Sequence, residues 1–182
     1  MKKLIILFLF PVCLFGQTIS TKIADPEKIN SDWKTLTESN YLIQYPSTWE
    51  LSQSGQMGTS FIIFSPLESE QDKFKENINL LIQDLTGMKI DLNKYTELSV
   101  GQIKTMATNS ILIESKRVKT ASGEYQKIIY SADQGIFHLE FEQYYWILNE
   151  KAYVLTFTTE QNKFDRFKEI GEKILNSFRI EK

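Results

Sequence analysis

Between residues 110 and 159 four strand-like segments follow one another, and this succession constrains the fold more than any other feature. The four segments are rich in β-branched and aromatic residues and read "SILIESKRV", "EYQKIIYSA", "IFHLEFEQYYWIL" and "AYVLTFTT". Such segments are typical of strands. The connections between them, such as "ADQG" and "LNEK", are so short that neighbouring strands must run antiparallel. The sequence therefore predicts an antiparallel sheet in this half of the chain.

Three earlier segments extend the predicted sheet to about seven strands. In "YLIQYP", at 41–46, Tyr41, Ile43 and Tyr45 alternate with other residues, which predicts a strand whose one face is buried. Pro46 cannot donate to a ladder, so this strand ends there, and Trp49 is expected to pack in the core. The segments at 61–64 and 76–85 are apolar on both faces, which is typical of strands covered on both sides.

Two helices are predicted to supply that cover. The first begins after Asp91, a good N-cap residue, and has an apolar face formed by Leu92, Tyr95, Leu98, Ile103 and Met106. The second ends near residue 178 and has a clearer stripe, with Thr158 and Gln161 as a possible capping box in front of it. The residues of this stripe are Phe164, Phe167, Gly171, Ile174 and Phe178. The expected fold class is α+β, with a central antiparallel sheet flanked by helices on both faces, which is an α/β/α sandwich.

The amino terminus has the features of a secretory signal peptide. Lys2 and Lys3 precede a short apolar run at 4–10, and Gly16 offers a small residue for cleavage. We therefore expect a signal peptide at 1–16, a polar lead-in at 17–32 and a single domain at 33–182, exported to the periplasm or the extracellular space, with no transmembrane segment in the mature chain. The alternative is a lipoprotein anchored through Cys13.

The residues before Cys13 argue against the lipoprotein alternative. Val12 and Phe10 stand where such a motif has a small residue and a leucine. The sequence therefore favours cleavage and release.

Composition and motifs exclude several function classes. The net charge is −2 and no basic run occurs, which argues against nucleic-acid binding. The single cysteine, Cys13, falls in the signal peptide, so a thiolate nucleophile or metal site is not expected in the mature chain. The motifs G-x-S-x-G, G-x-G-x-x-G and the Walker loop are absent from the sequence. We expect neither a cofactor nor catalytic residues. The sequence does not exclude a pair of carboxylates of the kind that hydrolyses glycosidic bonds.

Two candidate sites lie on the strand at 136–148. His138, Glu140 and Glu142 project from one face in steps of two, which is a weak metal-binding pattern. The simpler interpretation is a solvent-facing strand surface opposite Phe137, Leu139 and Phe141. Further along, Tyr144 and Trp146 form either an aromatic patch for a partner or a part of the sheet that a helix covers. The covered interpretation is favoured because both faces of the sheet need cover.

Several short motifs, taken in order, resemble the PsbP-like family. They are "YLIQYPSTWE" at 41–50, "FSP" at 64–66, "FKENINLLIQD" at 74–84, "AYVLTFTT" at 152–159 and "FDRFKEIGEKILNSF" at 164–178. The family shares its fold with a photosystem II extrinsic protein, a Ran-binding nuclear transport factor and many bacterial exported proteins. The resemblance implies an antiparallel sheet between helices. It carries no shared catalytic residues, and the family's characterised members act by binding other proteins through different surfaces.

We therefore expect an exported, non-enzymatic accessory protein whose partner is another protein. The alternative is a carrier of a small hydrophobic ligand or lipid, because aromatic residues make up 13% of the chain. A pocket near Tyr144 and Trp146 would favour this alternative.

Overall fold

The structure, a computed structural model, describes residues 33–120 and 123–181. The predictions of a signal peptide and of a polar lead-in fall on residues 1–32, which lie outside the described residues. No helix in the described part of the chain is long and apolar enough to cross a membrane.

Ten strands and two α-helices are described. The strands are β1 (Trp33–Glu38), β2 (Tyr41–Pro46), β3 (Glu50–Ser52), β4 (Thr59–Phe64), β5 (Asn77–Asp84), β6 (Thr108–Thr120), β7 (Gly123–Gln134), β8 (Phe137–Leu148), β9 (Lys151–Glu160) and β10 (Arg179–Ile180). The helices are α1 (Leu92–Met106) and α2 (Phe164–Ser177). A short 3-10 helix, Gln161–Lys163, connects β9 to α2.

The main sheet has seven antiparallel strands in the order β3-β4-β5-β9-β8-β7-β6. Its β6-β7-β8-β9 half is the predicted meander, in which each strand pairs with the next one along the chain. The β8–β9 turn places Asn149 at φ 50° and Glu150 at φ 55°. Two positive φ angles in a two-residue turn fit the right-handed twist of a hairpin, and asparagine tolerates this conformation well.

The stretch at 41–46 forms β2, but it does not belong to the main sheet. It pairs with β1 on one side and β10 on the other in a separate three-stranded sheet. Its alternation was predicted correctly, because Tyr41, Ile43 and Tyr45 are buried and the strand ends at Pro46. Trp49 is buried in the same core, also as predicted.

Both faces of the main sheet are covered, which confirms the sandwich. One core cluster joins α2 and the small sheet to the main sheet, with Phe61, Ile78 and Phe157 among its residues. The other cluster joins α1 to the opposite face, around Tyr95 and Tyr145. Each aromatic side chain of this size buries 150–250 Å² or so, and such burial dominates the stability of a core.

The two helices match their predictions with two exceptions. Asp91 caps α1 by accepting a hydrogen bond from the Lys94 amide at 2.8 Å. Met106, however, lies at the end of α1 and is 65% exposed, so it does not belong to the buried face. The predicted capping box is also wrong: Thr158 is still part of β9, and α2 begins at Phe164 without a side-chain cap. The buried stripe of α2 is as predicted.

Candidate functional site

The three residues of the candidate metal-binding pattern on β8, His138, Glu140 and Glu142, lie in different environments. His138 is 76% exposed at its side chain, and its Nδ1 lies 2.5 Å from Asp133 Oδ1. Asp133 also accepts a hydrogen bond from Asn109 Nδ2 at 2.6 Å, and the two hydrogen bonds lower the pKa of its carboxyl. Among the described residues, no group of three or more histidine, cysteine, aspartate or glutamate side chains is placed to hold a metal ion.

The expectation of a solvent-facing strand surface is wrong at Glu140 and Glu142. Both are buried, because α2 lies over this face of β8. Burial, together with the nearby charge of Asp165, raises the pKa of Glu140. A charged residue at an alternating position of a strand can therefore be buried and need not face solvent.

Glu142 belongs to a buried ion-pair network. Lys127 Nζ, on the neighbouring strand β7, lies 2.6 Å from Glu142 Oε1 and 3.1 Å from Glu172 Oε1 on α2. Burial opposes the charged form of Lys127, but its hydrogen bonds and its attraction to the two carboxylates outweigh burial and raise its pKa. The ammonium also lies 5.8 Å from the centre of the Tyr144 ring. The network ties α2 to the sheet.

Tyr144 and Trp146 contribute to an aromatic cluster, as the covered interpretation predicts. Tyr144 is only 3% exposed, so its ring is not a surface that a partner can contact. Its ring stacks on Tyr125 with 4.5 Å between centroids. Trp146 is half-buried, and its ring centroid lies 5.3 Å from that of Phe178, the residue that follows α2. Burial raises the pKa of the Tyr144 hydroxyl.

A groove of about 420 Å³ opens beside this cluster. It lies at one end of the main sheet, between the first residues of α1, the end of β8 and β10. The lining residues are Asp91, Leu92, Gly123, Glu124, Trp146, Ile147, Leu148, Phe178, Arg179 and Ile180. Sequence reasoning named Trp146 as the possible wall of a pocket, but it missed the α1 and β10 residues, which are distant in the chain.

A second cleft, of about 440 Å³, lies at the opposite end of β8. Its lining includes His138, Glu160 and the highly exposed Ile136. The His138 imidazole is held by Asp133 on its Nδ1 side.

Next to this second cleft, Lys163 is surrounded by four carboxylates that sequence reasoning did not connect. Its Nζ lies 2.6 Å from Glu160, 3.0 Å from Asp72, 3.4 Å from Glu68 and 3.7 Å from Glu76. Burial opposes its charged form, but these carboxylates prevail and raise the Lys163 pKa. Three of the four come from the β4–β5 loop, so Lys163 fastens that loop to the start of α2.

The outer edge of β6 is an open edge of the main sheet. β6 is the last strand of the main sheet and pairs with β7 on one side only. Ile111 and Ile113 on this strand are 62% and 52% exposed. The pairing with β7 is irregular between Thr108 and Ile111 and again between Leu112 and Glu114. The sequence signal for this edge was the apolar run "ILI" at 111–113, which has no polar alternation.

Comparison of the sequence with known proteins gives no identification: no family model matches it, and no curated protein matches it significantly. The fold, by contrast, is similar to that of several solved structures. A cyanobacterial PsbP, CyanoP from Synechocystis sp. PCC 6803, superposes with a TM-score of 0.59 at 14% identity, over 91% of this chain and 98% of that one.

Two other solved structures are similar to the same extent. LpqN from Mycobacterium tuberculosis, which is involved in cell envelope biogenesis, has a TM-score of 0.62 at 13% identity, over 83% of this chain and 91% of its own. PA94 from Pseudomonas aeruginosa, a protein of unknown function, has a TM-score of 0.57 at 9% identity, over 81% of this chain and 96% of its own. Identities this low establish the fold and leave function to be argued from the site. The chain has the PsbP-like fold.

Proposed function

We propose that this chain is an exported, non-enzymatic accessory protein that binds another protein through the outer edge of β6. The observation that carries the proposal is the exposure of Ile111 and Ile113 on a strand whose outer edge pairs with no other described strand. The partner adds an extended segment to this edge. Main-chain hydrogen bonds then give affinity, and the two isoleucines give specificity.

The position of the exposed apolar side chains supports this surface. Monomeric proteins protect long edge strands with charges, prolines or bulges, because an open edge is a template for pairing with another chain. The later part of β6 has such protection in Lys116, Arg117 and Lys119. The segment at 110–113 overlaps the two irregularities in the pairing with β7, but it has no charged side chain, and its isoleucines remain exposed.

Two further exposed apolar residues lie toward the same end of the sheet. Met106 ends α1, two residues before β6 begins, and is 65% exposed. Ile136, in the β7–β8 turn, is 84% exposed, and the end of β7 that leads into this turn pairs with the start of β6, where Asn109 donates a hydrogen bond to Asp133. Exposed apolar residues that gather in one region mark an interaction site more often than scattered ones do.

The comparisons support the general class of function. CyanoP is a PsbP protein, and LpqN is involved in cell envelope biogenesis. The signal-like amino terminus supports export of this chain as well, to the periplasm or the extracellular space. We propose the domain division made from the sequence, with the folded unit beginning at Trp33.

Cross-linking in intact cells followed by affinity purification tests the proposal. The wild-type chain is expected to retain a partner protein, and the variant Ile113→Lys is expected to lose it, because a charge then replaces an apolar contact. Lys104→Ala, on an exposed part of α1, is the control and should retain the partner. Recovery of the same proteins with all three chains would contradict binding through β6.

A carrier of a small hydrophobic ligand is the second candidate function. The specific observation in its favour is the groove beside Trp146 and Phe178. Native mass spectrometry of protein purified without detergent is expected to show an added mass that disappears on denaturation. A single mass equal to that of the polypeptide would argue against this candidate.

A further inference from the structure

The groove beside Trp146 has apolar walls that come from both core layers. Leu92 begins α1 on one face of the sheet, and Phe178 and Ile180 lie on the other face. Between them the last residues of β8 form the floor. Ligand pockets typically have mostly apolar walls and volumes of roughly 300–1,000 Å³, and a groove of about 420 Å³ falls within this range.

The floor of the groove offers an aromatic surface. Trp146 is half-buried and contacts the rings of Tyr125, at 5.2 Å, and Phe178, at 5.3 Å between centroids. These contacts fix the indole ring in place, so a ligand ring can stack on it without a large loss of side-chain freedom.

The charged residues at the rim already have partners within the protein. Asp91 Oδ1 accepts the Lys94 amide at 2.8 Å as the cap of α1. Glu124 pairs with Arg117 at 3.0 Å. Arg179 Nη1 donates to the main-chain carbonyls of Asn176 and Phe178, each at 2.7 Å. With Arg117 included, the rim holds two negative and two positive charges, so it has no net charge that would favour an anion or a cation.

We infer that this groove binds a small, uncharged aromatic molecule that stacks on Trp146. The inference rests on the second candidate function and names its ligand class. A neutral ring system loses little hydration when it enters an apolar groove, whereas a charged ligand would have to be desolvated beside a rim that has no net charge to offset that cost. Ring stacking adds to the gain from burial and favours an aromatic ligand over a flexible acyl chain.

Titration with N-phenyl-1-naphthylamine, an uncharged aromatic fluorophore, tests the inference on the purified full chain. We expect saturable binding of one probe per protein and a change in tryptophan emission. In Trp146→Phe that emission change should disappear, because Trp33 and Trp49 do not line the groove. In Ile180→Asp the dissociation constant should rise about tenfold, which corresponds to the loss of one apolar contact of about 1.4 kcal/mol.

Ile136→Asp is the matched control, because it introduces the same charge beside the other cleft. It should bind the probe as the wild type does, and circular dichroism should show the same fold in all variants. Absence of saturable binding, or equal weakening in the Ile136 and Ile180 variants, would overturn the inference.

Competition with laurate separates the ligand class from the carrier function. If laurate displaces the probe more effectively than naphthalene does, the groove takes acyl chains, so the inference is overturned while the carrier function stands. If the probe, laurate and naphthalene all fail to bind, both are overturned.

Discussion

At the scale of single residues, Glu76 combines complete burial with a position among other carboxylates. Its Oε2 accepts a hydrogen bond from Ser65 Oγ at 3.2 Å, and its Oε1 lies 3.7 Å from Lys163 Nζ. Burial raises the pKa of Glu76 to about 7, the attraction of Lys163 opposes that rise, and the charge of Asp72 adds to it. The folded protein therefore holds a proton here that the unfolded chain releases near pH 4.5.

This raised pKa predicts a stability that falls as the pH rises. Between about pH 4.5 and 7 the folded state binds more protons than the unfolded state, so the free energy of unfolding decreases across this window. Glu76→Gln removes the titration, and we expect it to be more stable than the wild type at pH 8 by roughly 3 kcal/mol, with little difference at pH 4.5.

Urea unfolding at pH 4.5, 6 and 8 measures this difference. Glu70→Gln, at an exposed position of the same loop, is the matched control and should change stability by less than about 0.5 kcal/mol. A constant offset between Glu76→Gln and wild type at all three pH values would contradict the assignment.

The buried pair of Lys127 and Glu142 leads to a second prediction at this scale. Lys127→Met leaves the Glu142 carboxylate buried without its cation, and removal of one partner from a buried pair costs about 3–5 kcal/mol. The double variant Lys127→Met with Glu142→Leu should recover most of that loss, because neither charge remains buried. Thermal unfolding of the wild type, Lys127→Met, Glu142→Leu and the double variant completes a double-mutant cycle, which measures the coupling energy of the pair.

An exposed pair provides the comparison. Lys173 and Glu169 lie 2.8 Å apart on α2, with side chains that are 51% and 78% exposed. Lys173→Met should leave the stability nearly unchanged, because solvent screens an exposed ion pair. Equal effects of Lys127→Met and Lys173→Met would show that the buried pair is not formed in solution.

At the scale of elements, Gly171 allows α2 to lie close to the sheet. A Cβ atom at this position would come within 2.6 Å of the Phe157 ring. Gly171→Leu should therefore destabilise the protein by about 1–3 kcal/mol through overpacking. Phe167→Ala, in the same stripe, should cost about 3–5 kcal/mol through the loss of buried ring contacts.

The matched control for both changes is Lys168→Ala, because Lys168 is exposed on the outer side of the same helix. Urea unfolding should show a change of less than about 0.5 kcal/mol for this variant. If Phe167→Ala were as mild as Lys168→Ala, α2 would not be docked on the sheet as described.

The elements that sequence reasoning predicted well are those whose pattern repeats locally. The stripe of α2 and the meander from β6 to β9 depend on spacings of two to four residues, which a single sequence displays. The strands β1, β3 and β10 were missed. Strands β3 and β10 have only three and two residues and carry no periodicity, and β1 has Leu36 as its one buried residue and shows no alternation. Strand β2 was assigned to the wrong sheet, because its partners β1 and β10 are defined by pairing across the chain and not by its own pattern.

At the scale of the whole molecule, the sites combine residues that are far apart in sequence. Lys163 meets Asp72 across 91 positions, and no local motif indicates such a contact. The groove likewise needs Leu92, Trp146 and Ile180 from three separate elements. One signal was available in the sequence: Glu142 lies among aromatic residues of β8, and a charge in such surroundings indicates a buried partner.

The central claim is that the outer edge of β6 contacts a partner protein. A photoreactive amino acid at position 113 tests it directly, with the same residue placed at position 169 on the exposed side of α2 for comparison. After irradiation of intact cells, the account predicts a discrete cross-linked adduct from position 113 and none from position 169. Adducts from position 169 alone, or none from position 113, would contradict it.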